Sequence, residues 1–425
     1  MSIELIIFIA MIATFLICAF ALKLPVSISM MLSSVVGALV GGEGVPLRHL
    51  VEGTFSYVDT ILVIACAMIF MRIIEKSGAL DAISAIIIRR FYKKPALLLC
   101  LVMLVIMFPG MITGSSTAAV LSAGSIMAPV LITMGIPVVE TASILAMGGI
   151  LGMIAPPVNI PAMIIGGGID IPYVGFEVPL LLLTIPIAIF TVLFFGYKHV
   201  KNLDYEAIKH ELNHEPIEKF GFKIYIPIIV AIVLMVLNKV VPAIPDLGMP
   251  LVFIISSIVG LFTGYKINFI QESKNAVKTV LPVLGILMGV GMFIQIMTLT
   301  GVRGLIVTAC ISLPNSLRYL AMAISVPLFG AVSSFGSASV LGVPFLLSFM
   351  AKDQIITAAA ISLIAGVGDM VPPTALAGIF AAQVLGMENY TPVLKKCAVP
   401  IALMLVWGII FIIFSPQLAS FIVFK

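Results

Sequence analysis

Apolar stretches long enough to cross a lipid bilayer recur along this sequence from end to end. A helix needs about 20 mostly apolar residues to span a hydrocarbon layer of about 30 Å. Hydrophobic residues make up 61% of the 425 residues and charged residues only 10%, whereas a soluble domain has roughly 25% charged residues. The sequence therefore predicts an all-α integral membrane protein, and no large soluble domain is left over between the apolar stretches.

Pro, Gly and charge clusters divide the apolar stretches into full spans and two other segments. The predicted spans are 4–22, 25–42, 58–78, 138–167 and 177–196 in the first half, and 224–243, 248–265, 279–300, 354–385 and 397–417 in the second. The segments 95–134 and 316–350 each contain two apolar arms around a Gly/Ser-rich centre. We expect these two segments to be re-entrant helical hairpins, and the spans 138–167 and 354–385 to be broken helices.

Basic residues predict how the spans are oriented. If the loop with Arg89 and Arg90 is cytoplasmic, 17 of the 23 Lys and Arg residues lie inside and six outside, which is the bias that the positive-inside rule expects. Residues 1–197 then form a first repeat, 198–223 a cytoplasmic linker and 224–425 a second repeat. Five spans per half make the repeats inverted. Both termini are extracytoplasmic in this multi-pass topology of the cell inner membrane.

Cysteines and net charge exclude other classes of function. The five cysteines have no paired spacing that predicts a disulfide framework or a metal cluster. The net charge of +4 comes from dispersed basic residues, and a nucleic-acid-binding protein needs them gathered on one face. We therefore expect a bilayer and a small solute as partners, and no nucleic acid.

An internal duplication covers the centre of each hairpin and of each broken helix. Gly110–Leu121 matches Gly330–Leu341 without gaps at an offset of 220 residues, and Gly152–Pro157 matches Gly368–Pro373 at an offset of 216. Paired interrupted helices are the sequence signal for a transporter binding site. Unpaired backbone groups at a Gly/Ser-rich tip need polar partners inside a membrane, and adjacent prolines free helix carbonyls. Each tip and broken helix can therefore hold a hard cation such as sodium, while helix N-termini attract an anion.

Two features of these motifs allow more than one interpretation. A single Gly-Ser-Ser stretch is more often a helix-packing surface than a ligand site, and only its repetition in the same order favours a binding function. Asp369 is the only acid in the motifs, and its counterpart is Met153. An intramembrane carboxylate is a functional candidate, but Asp369 could equally be a solvated residue at the mouth of a cavity.

Motifs of the first half resemble a known transporter family. They are Leu24–Met30, Phe70–Gly78, Gly114–Ala118, Gly124–Pro129 and Gly148–Pro157. In them the sequence resembles the large permease subunit of tripartite ATP-independent periplasmic (TRAP) transporters, within the ion transporter superfamily. The resemblance implies a scaffold domain, an elevator-type transport domain that carries both hairpins, and sodium-coupled uptake of a small organic acid such as a dicarboxylate. It also implies a small four-span membrane subunit and an extracytoplasmic substrate-binding protein as partners, and no enzymatic activity.

The resemblance also implies positions for the ligands. One sodium site falls on Ser115, Ser116 and Thr117 with backbone from Gly152 to Pro156, and the other on Ser334, Gly336 and Ser337 with backbone from Gly368 to Pro372. The substrate residues are Ser116, Thr117, Asn159, Ser337, Thr374 and Asp369. Sodium ions are the expected coupling ions, with no other cofactor and no transition metal.

The second half departs from the family pattern. Asp246–Pro250 stands where the family has a Thr-Pro-Thr-Glu-Ala stretch, and Phe335 and Asp369 are unusual for it. A stand-alone sodium- or proton-coupled organic-anion symporter of the same superfamily is therefore the alternative. A channel is a further class, but paired broken helices that converge on one site fit alternating access better than a continuous pore.

A short pattern in the linker suggests an unrelated function. His210-Glu-Leu-Asn-His214 has the spacing of zinc proteases, in which two His residues bind the metal and Glu211 would be the general base. Such a helix is usually buried and apolar, whereas this one lies among charged residues and meets Pro216 two positions later. A membrane metalloprotease is thus the distant alternative, and a solvated linker helix is the simpler interpretation.

Overall fold

The computed structural model describes residues 2–200, 208, 213–240 and 247–422, and this part of the chain is helical without β-strands. In the first half the helices are α1 Ile3–Leu16, α2 Val26–Val40, α3 Leu47–Phe55, α4 Val58–Ser77, α5 Ala79–Phe91, α6 Pro95–Thr113, α7 Ser116–Ala119, α8 Ser125–Thr133, α9 Val138–Ile154, α10 Ile160–Gly167 and α11 Glu177–Gly196. A π-helical turn extends α1 over Ile17–Ala21, and another joins α7 to α8 over Val120–Gly124.

The second half begins with a short helix after the linker. Its helices are α12 Glu215–Phe220, α13 Ile226–Val240, α14 Gly248–Gly260, α15 Phe269–Leu299, α16 Val302–Ser312, α17 Asn315–Gly330, α18 Ser334–Ser337, α19 Val343–Ser348, α20 Gln354–Gly366, α21 Leu376–Val384, α22 Thr391–Ile413 and α23 Ser415–Ile422. A π-helical turn over Ala338–Gly342 joins α18 to α19, and 3-10 turns cover Gly221–Tyr225 and Val367–Met370.

The prediction of an all-α multi-pass membrane protein is confirmed. Within the described ranges, seven helices are long and apolar enough to cross a bilayer, or eight if the bent pair α3 and α4 forms one span. The predicted spans 138–167 and 354–385 are each interrupted, between α9 and α10 and between α20 and α21. The ten-span topology, the re-entry of the hairpins, the inverted orientation and the side of each terminus stay predictions.

Several helix boundaries differ from the predicted spans. The span predicted from residue 279 belongs to α15, which begins ten residues earlier at Phe269, because charged residues extend a helix beyond the apolar layer. Asn268 caps α15 by accepting a hydrogen bond from the Gln271 N–H at 3.1 Å. Conversely, α14 ends at Gly260, short of the predicted 265. The predicted linker 198–223 lies only partly within the described residues.

The helices pack in two groups. In the first, α15 lies against α2, α3 and α4, and α4 also packs on α14. The backbones of α3 and α15 touch at Gly53, where an added Cβ would lie 2.7 Å from the Gly291 carbonyl oxygen. In the second group α9 packs against α6, α11 and α22, and α20 packs against α17 and α22. This second group contains both hairpins and both broken helices.

The broken helices of the two halves pack reciprocally. The short helix α10 of the first half lies against α20 of the second, and α21 of the second half lies against α9 of the first. Each half-helix after a break is thus supported by the helix before the break in the other half. As a result, both breaks and both hairpin centres come together in the interior of the second group.

Two hydrogen bonds attach α10 to the first group. The Tyr57 hydroxyl donates to the Ile164 carbonyl at 3.1 Å, and the Arg303 guanidinium donates to the Gly168 carbonyl at 2.6 Å. The last carbonyls of a helix have no partner within it, so side chains from α16 and from the start of α4 satisfy the C-terminal end of α10. These contacts join the two groups of helices.

We predict that Tyr57→Phe destabilises the protein. The substitution leaves the Ile164 carbonyl buried without its partner, which costs about 1 kcal/mol or more, so the unfolding temperature of the purified protein in detergent should fall. Tyr319→Phe is the control, because the Tyr319 ring stacks on Phe349 while its hydroxyl has no hydrogen bond among the described residues. Equal unfolding temperatures for the two variants would contradict this role of Tyr57.

Candidate functional site

The first hairpin turns at a capped helix start. α6 ends at Thr113, and Gly114 adopts φ 64°, a left-handed conformation that glycine accepts without strain. Ser115 then caps α7, because its hydroxyl accepts a hydrogen bond from the Ala118 N–H at 3.2 Å. The tip is therefore an ordered turn with a helix N-terminus directed at the centre of the second group.

The second hairpin has the same local structure. α17 ends at Gly330, and Ser333 caps α18 by accepting a hydrogen bond from the Gly336 N–H at 3.1 Å. A π-helical turn of five residues follows each of these short helices, Val120–Gly124 in the first half and Ala338–Gly342 in the second. Both tips therefore follow the same sequence of cap, short helix and π-helical turn.

The caps change the residue correspondence at the tips. Ser115 and Ser333 are 218 residues apart, whereas the gapless match pairs Ser115 with Phe335 at an offset of 220. The second tip is thus two residues shorter, and Ser116 is equivalent to Ser334. Ser333 was missed as a cap, although Pro109 and Pro327 inside α6 and α17, also 218 apart, carried the signal.

Each hairpin crosses its broken helix at a pair of glycines. A Cβ added to Gly110 would lie 2.9 Å from the carbonyl carbon of Gly152, and a Cβ added to Gly330 would lie 2.8 Å from the Cα of Gly368. Backbone thus contacts backbone at both crossings, which a larger side chain would prevent. Gly152 and Gly368, predicted as backbone ligands of sodium, are therefore also the positions that bring tip and break together.

A hydrogen bond at an equivalent position closes each crossing. In the first half the Val158 N–H donates to the Met111 carbonyl at 3.0 Å. In the second half the Thr374 hydroxyl donates to the Ala331 carbonyl at 2.5 Å. Val158 and Thr374 are 216 residues apart, and Met111 and Ala331 are 220 apart, as in the two matched motifs. The Thr374 hydroxyl, predicted to bind substrate, is thus engaged at the tip.

The two breaks differ in how far they are enclosed. Both Pro–Pro peptide bonds, 156–157 and 372–373, are cis. Pro156 is buried, whereas Pro372 and Pro373 are exposed. Of the two predicted carbonyl clusters, the second is therefore the one that is open to the outside of the protein.

Asn159, predicted to bind substrate, is fully buried after the first break. Its Oδ1 accepts from the Ala162 N–H at 2.9 Å and so caps α10. Its Nδ2 donates to the Ile154 carbonyl at 2.7 Å and to the Ser362 hydroxyl of α20 at 2.9 Å. Both amide hydrogens are used within the protein, so in this structure Asn159 joins the two broken helices. Ser362 lies outside the duplicated motifs, which is why the sequence did not reveal it.

Asp369 lies where the two tips meet. The Ser116 hydroxyl of the first tip donates to its Oδ2, and Ser334 of the second tip also hydrogen-bonds this carboxylate through its side chain. Asp369 is only 4% exposed, so it is not a solvated residue at the mouth of a cavity. No ion pair to Asp369 occurs in the described part of the chain.

The other predicted tip residues lie beside this cluster. The Ser337 hydroxyl donates to the Val326 carbonyl at 2.5 Å within its own hairpin. The half-buried Thr117 hydroxyl has no hydrogen-bond partner among the residues described. Ser116, Ser334 and Asp369 are thus the predicted side chains that the fold brings together, and Thr117 keeps a free hydroxyl near them in sequence.

The zinc-protease pattern lies mostly outside the described residues. His210 and Glu211 fall there, and His214 directly precedes α12. Within the described ranges no group of three or more His, Cys, Asp or Glu side chains could hold a metal ion.

Comparison with known proteins gives a family and a fold. A family model described as "Tripartite ATP-independent periplasmic transporter, DctM component" matches residues 5–418. The solved structure of the Alcanivorax borkumensis YdaH transporter, described as having an unusual topology, is similar with a TM-score of 0.62 over 89% of each chain at 13% identity. At this identity the likeness shows the fold alone. No curated protein matches the sequence.

We predict that the glycine crossings do not tolerate a methyl group. Gly110→Ala forces the first hairpin away from backbone atoms of the broken helix, and such overpacking costs about 1–3 kcal/mol. Gly124→Ala in the same hairpin is the matched control, because its Cβ would meet nothing nearer than 3.4 Å. Thermal unfolding in detergent should show a lower transition for Gly110→Ala only; a Gly110→Ala protein as stable as the control would argue against a tight crossing.

Proposed function

The chain belongs to the family of the DctM component of tripartite ATP-independent periplasmic transporters, and from this premise we propose that it couples sodium entry to the uptake of a small organic acid. In this proposal it is the large permease subunit of a secondary active transport system. The convergence of two similar hairpin tips and two helix breaks on one buried cluster carries the proposal. Such discontinuous helices are how transporters build ion and substrate sites at mid-membrane depth.

Oxygen atoms at the tips and breaks suit sodium as the coupling ion. The first proposed site takes Ser115, Ser116 and Thr117 with carbonyls of residues 152–156, and the second takes Ser334, Gly336 and Ser337 with carbonyls of residues 368–372. Backbone carbonyls near a double proline lack their helix partners and are free to bind a cation. The same cap and π-helical turn in both hairpins supports two sites of similar construction.

An organic acid fits the helix N-termini at the two tips. Two helix starts face the cluster, and helix N-termini favour a carboxylate through their free N–H groups. Ser116, Thr117 and Ser337 are the proposed hydroxyl donors, and the free Thr117 hydroxyl is the strongest of them. Asn159 and Thr374, whose donors are engaged within the protein, would position the backbone around the substrate.

Transport by an elevator-type movement fits the two groups of helices. The group around α15 would be the scaffold, and the group with both hairpins would carry the solute across the inner membrane, with inverted repeats and both termini extracytoplasmic. The hydrogen bonds from Tyr57 and Arg303 to α10 would then break and re-form in each cycle. In the proposed system a small four-span subunit and an extracytoplasmic binding protein deliver the substrate.

The first test is uptake by proteoliposomes that contain the chain, with an imposed sodium gradient and a panel of labelled mono- and dicarboxylates. We expect saturable uptake with an inward sodium gradient. Parallel vesicles receive the small membrane subunit and binding protein encoded nearby. Uptake without these proteins would favour the stand-alone symporter, and equal uptake with potassium or with a proton gradient alone would refute sodium coupling.

The second test removes single hydroxyl groups at the tips. A lost ligand costs on the order of 1–3 kcal/mol, so Thr117→Ala or Ser337→Ala should weaken the apparent sodium affinity by about tenfold or more. Substrate affinity should fall as well, because coupling between two ligands is reciprocal. Thr308→Ala is the control, since that exposed hydroxyl bonds only within α16. Unchanged sodium dependence in both tip variants would exclude these hydroxyls as ligands.

A further inference from the structure

Asp369 breaks the symmetry of the site. Its equivalent in the first half is Met153, so only the second broken helix brings a negative charge into the cluster. The carboxylate is 4% exposed, and no ion pair compensates it within the described ranges. A buried charge without a counter-charge is strongly unfavourable inside a membrane protein. The two serine hydroxyls reduce this penalty, but they bring no positive charge.

The two serines that contact Asp369 are equivalent. Ser116 and Ser334 each follow the capping serine of their hairpin, and they are 2% and 5% exposed. A hydroxyl group that donates its hydrogen keeps lone pairs that can bind a cation. The Ser116 hydroxyl contacts Oδ2. Two tips and one acid thus surround a small space with oxygen atoms.

We propose that Asp369, Ser116 and Ser334 hold one monovalent cation between the two hairpin tips. This site is shared by both halves and is additional to the sites of tip hydroxyls and break carbonyls. It rests on the proposed sodium-coupled function, since the coupling ion is its occupant. Each half supplies one hydroxyl, and the acid supplies the charge.

The charge of Asp369 makes this cation a condition for substrate binding. Without the cation, a substrate carboxylate at the tips would face a buried like charge. With the cation bound, the cluster is neutral and both tips are held to the same ion. The cation therefore binds first, and an organic acid binds only to the cation-loaded protein. An amide at position 369 removes this condition while it keeps the size and a hydrogen-bond acceptor.

The experiment compares Asp369→Asn with wild type, using the full chain in lipid nanodiscs and radioactive sodium as the probe. Choline replaces sodium in the reference buffer. We expect Asp369→Asn to bind one sodium ion fewer per chain, and to lose most of the rise in unfolding temperature that sodium gives to the wild type. In choline the variant should be as stable as the wild type or more stable, because an uncompensated buried charge is gone.

Asp353→Asn is the matched control. Asp353 lies at the other end of α20, where its side chain caps the helix by accepting from the Ile356 N–H at 2.9 Å. Asn is an equally good cap, so this variant makes the same chemical change on the same element away from the tips. We expect it to bind sodium like the wild type.

A double-mutant cycle tests whether the two tips share the ion. If Ser116 and Ser334 bind one cation, each change to Ala should weaken the same binding event by about tenfold, and the double variant should deviate from additivity. Independent effects on two separate binding events would overturn the shared site.

Failure of the inference and failure of the proposed function give different results. If wild type neither binds radioactive sodium nor gains stability from it, sodium coupling itself is wrong. If wild type responds to sodium and Asp369→Asn responds equally, the function stands and the shared site is wrong. If Asp369→Asn is less stable than wild type in choline as well as in sodium, the carboxylate has a structural role, and the proposal is likewise overturned.

Discussion

Backbone polar groups inside an apolar medium must find partners within the protein, and this constraint shapes the whole site. A hairpin that turns inside a membrane, and a helix that breaks there, each expose N–H and carbonyl groups that lipid cannot satisfy. Here serine side chains cap the two tips, and Asn159 caps the helix after the first break. The bonds from Val158 to Met111 and from Thr374 to Ala331 then attach each break to its tip. The groups left over are those available to a solute.

Close backbone contact makes this arrangement possible. The glycine pairs at the two crossings remove the side chains that would otherwise separate tip from break. The reciprocal packing of α10 on α20 and of α21 on α9 then brings the two crossings together. Because of this exchange, Ser116 from one half and Asp369 from the other become neighbours across 253 residues of sequence. The proposed function depends on this convergence, because neither half alone surrounds a site.

The symmetry of the framework contrasts with the asymmetry of its chemistry. Caps, π-helical turns, glycine crossings and the bonds that close them all occur in pairs. The acid occurs once, and the second break is exposed while Pro156 of the first is buried. A duplicated framework meets the same backbone constraint twice, whereas a charged group is costly and is placed only where a ligand can neutralise it. The sodium-coupled uptake proposed for this chain uses the framework for alternating access and the single acid for coupling.

The sequence by itself determined the all-α membrane class, the two interrupted hairpins, the two broken helices and the family, because these follow from apolar length, from glycine and proline, and from recognisable motifs. It also singled out Ser116, Ser334 and Asp369, but it could not show that they meet. The gapless match misaligned the tips by two residues, since hydrogen bonding of Ser115 and Ser333 sets the cap positions and not the best letter-by-letter match. Ser362 and Tyr57 carry no motif at all. Only the tertiary structure decided these contacts, because they join helices that are distant in sequence and depend on how those helices pack.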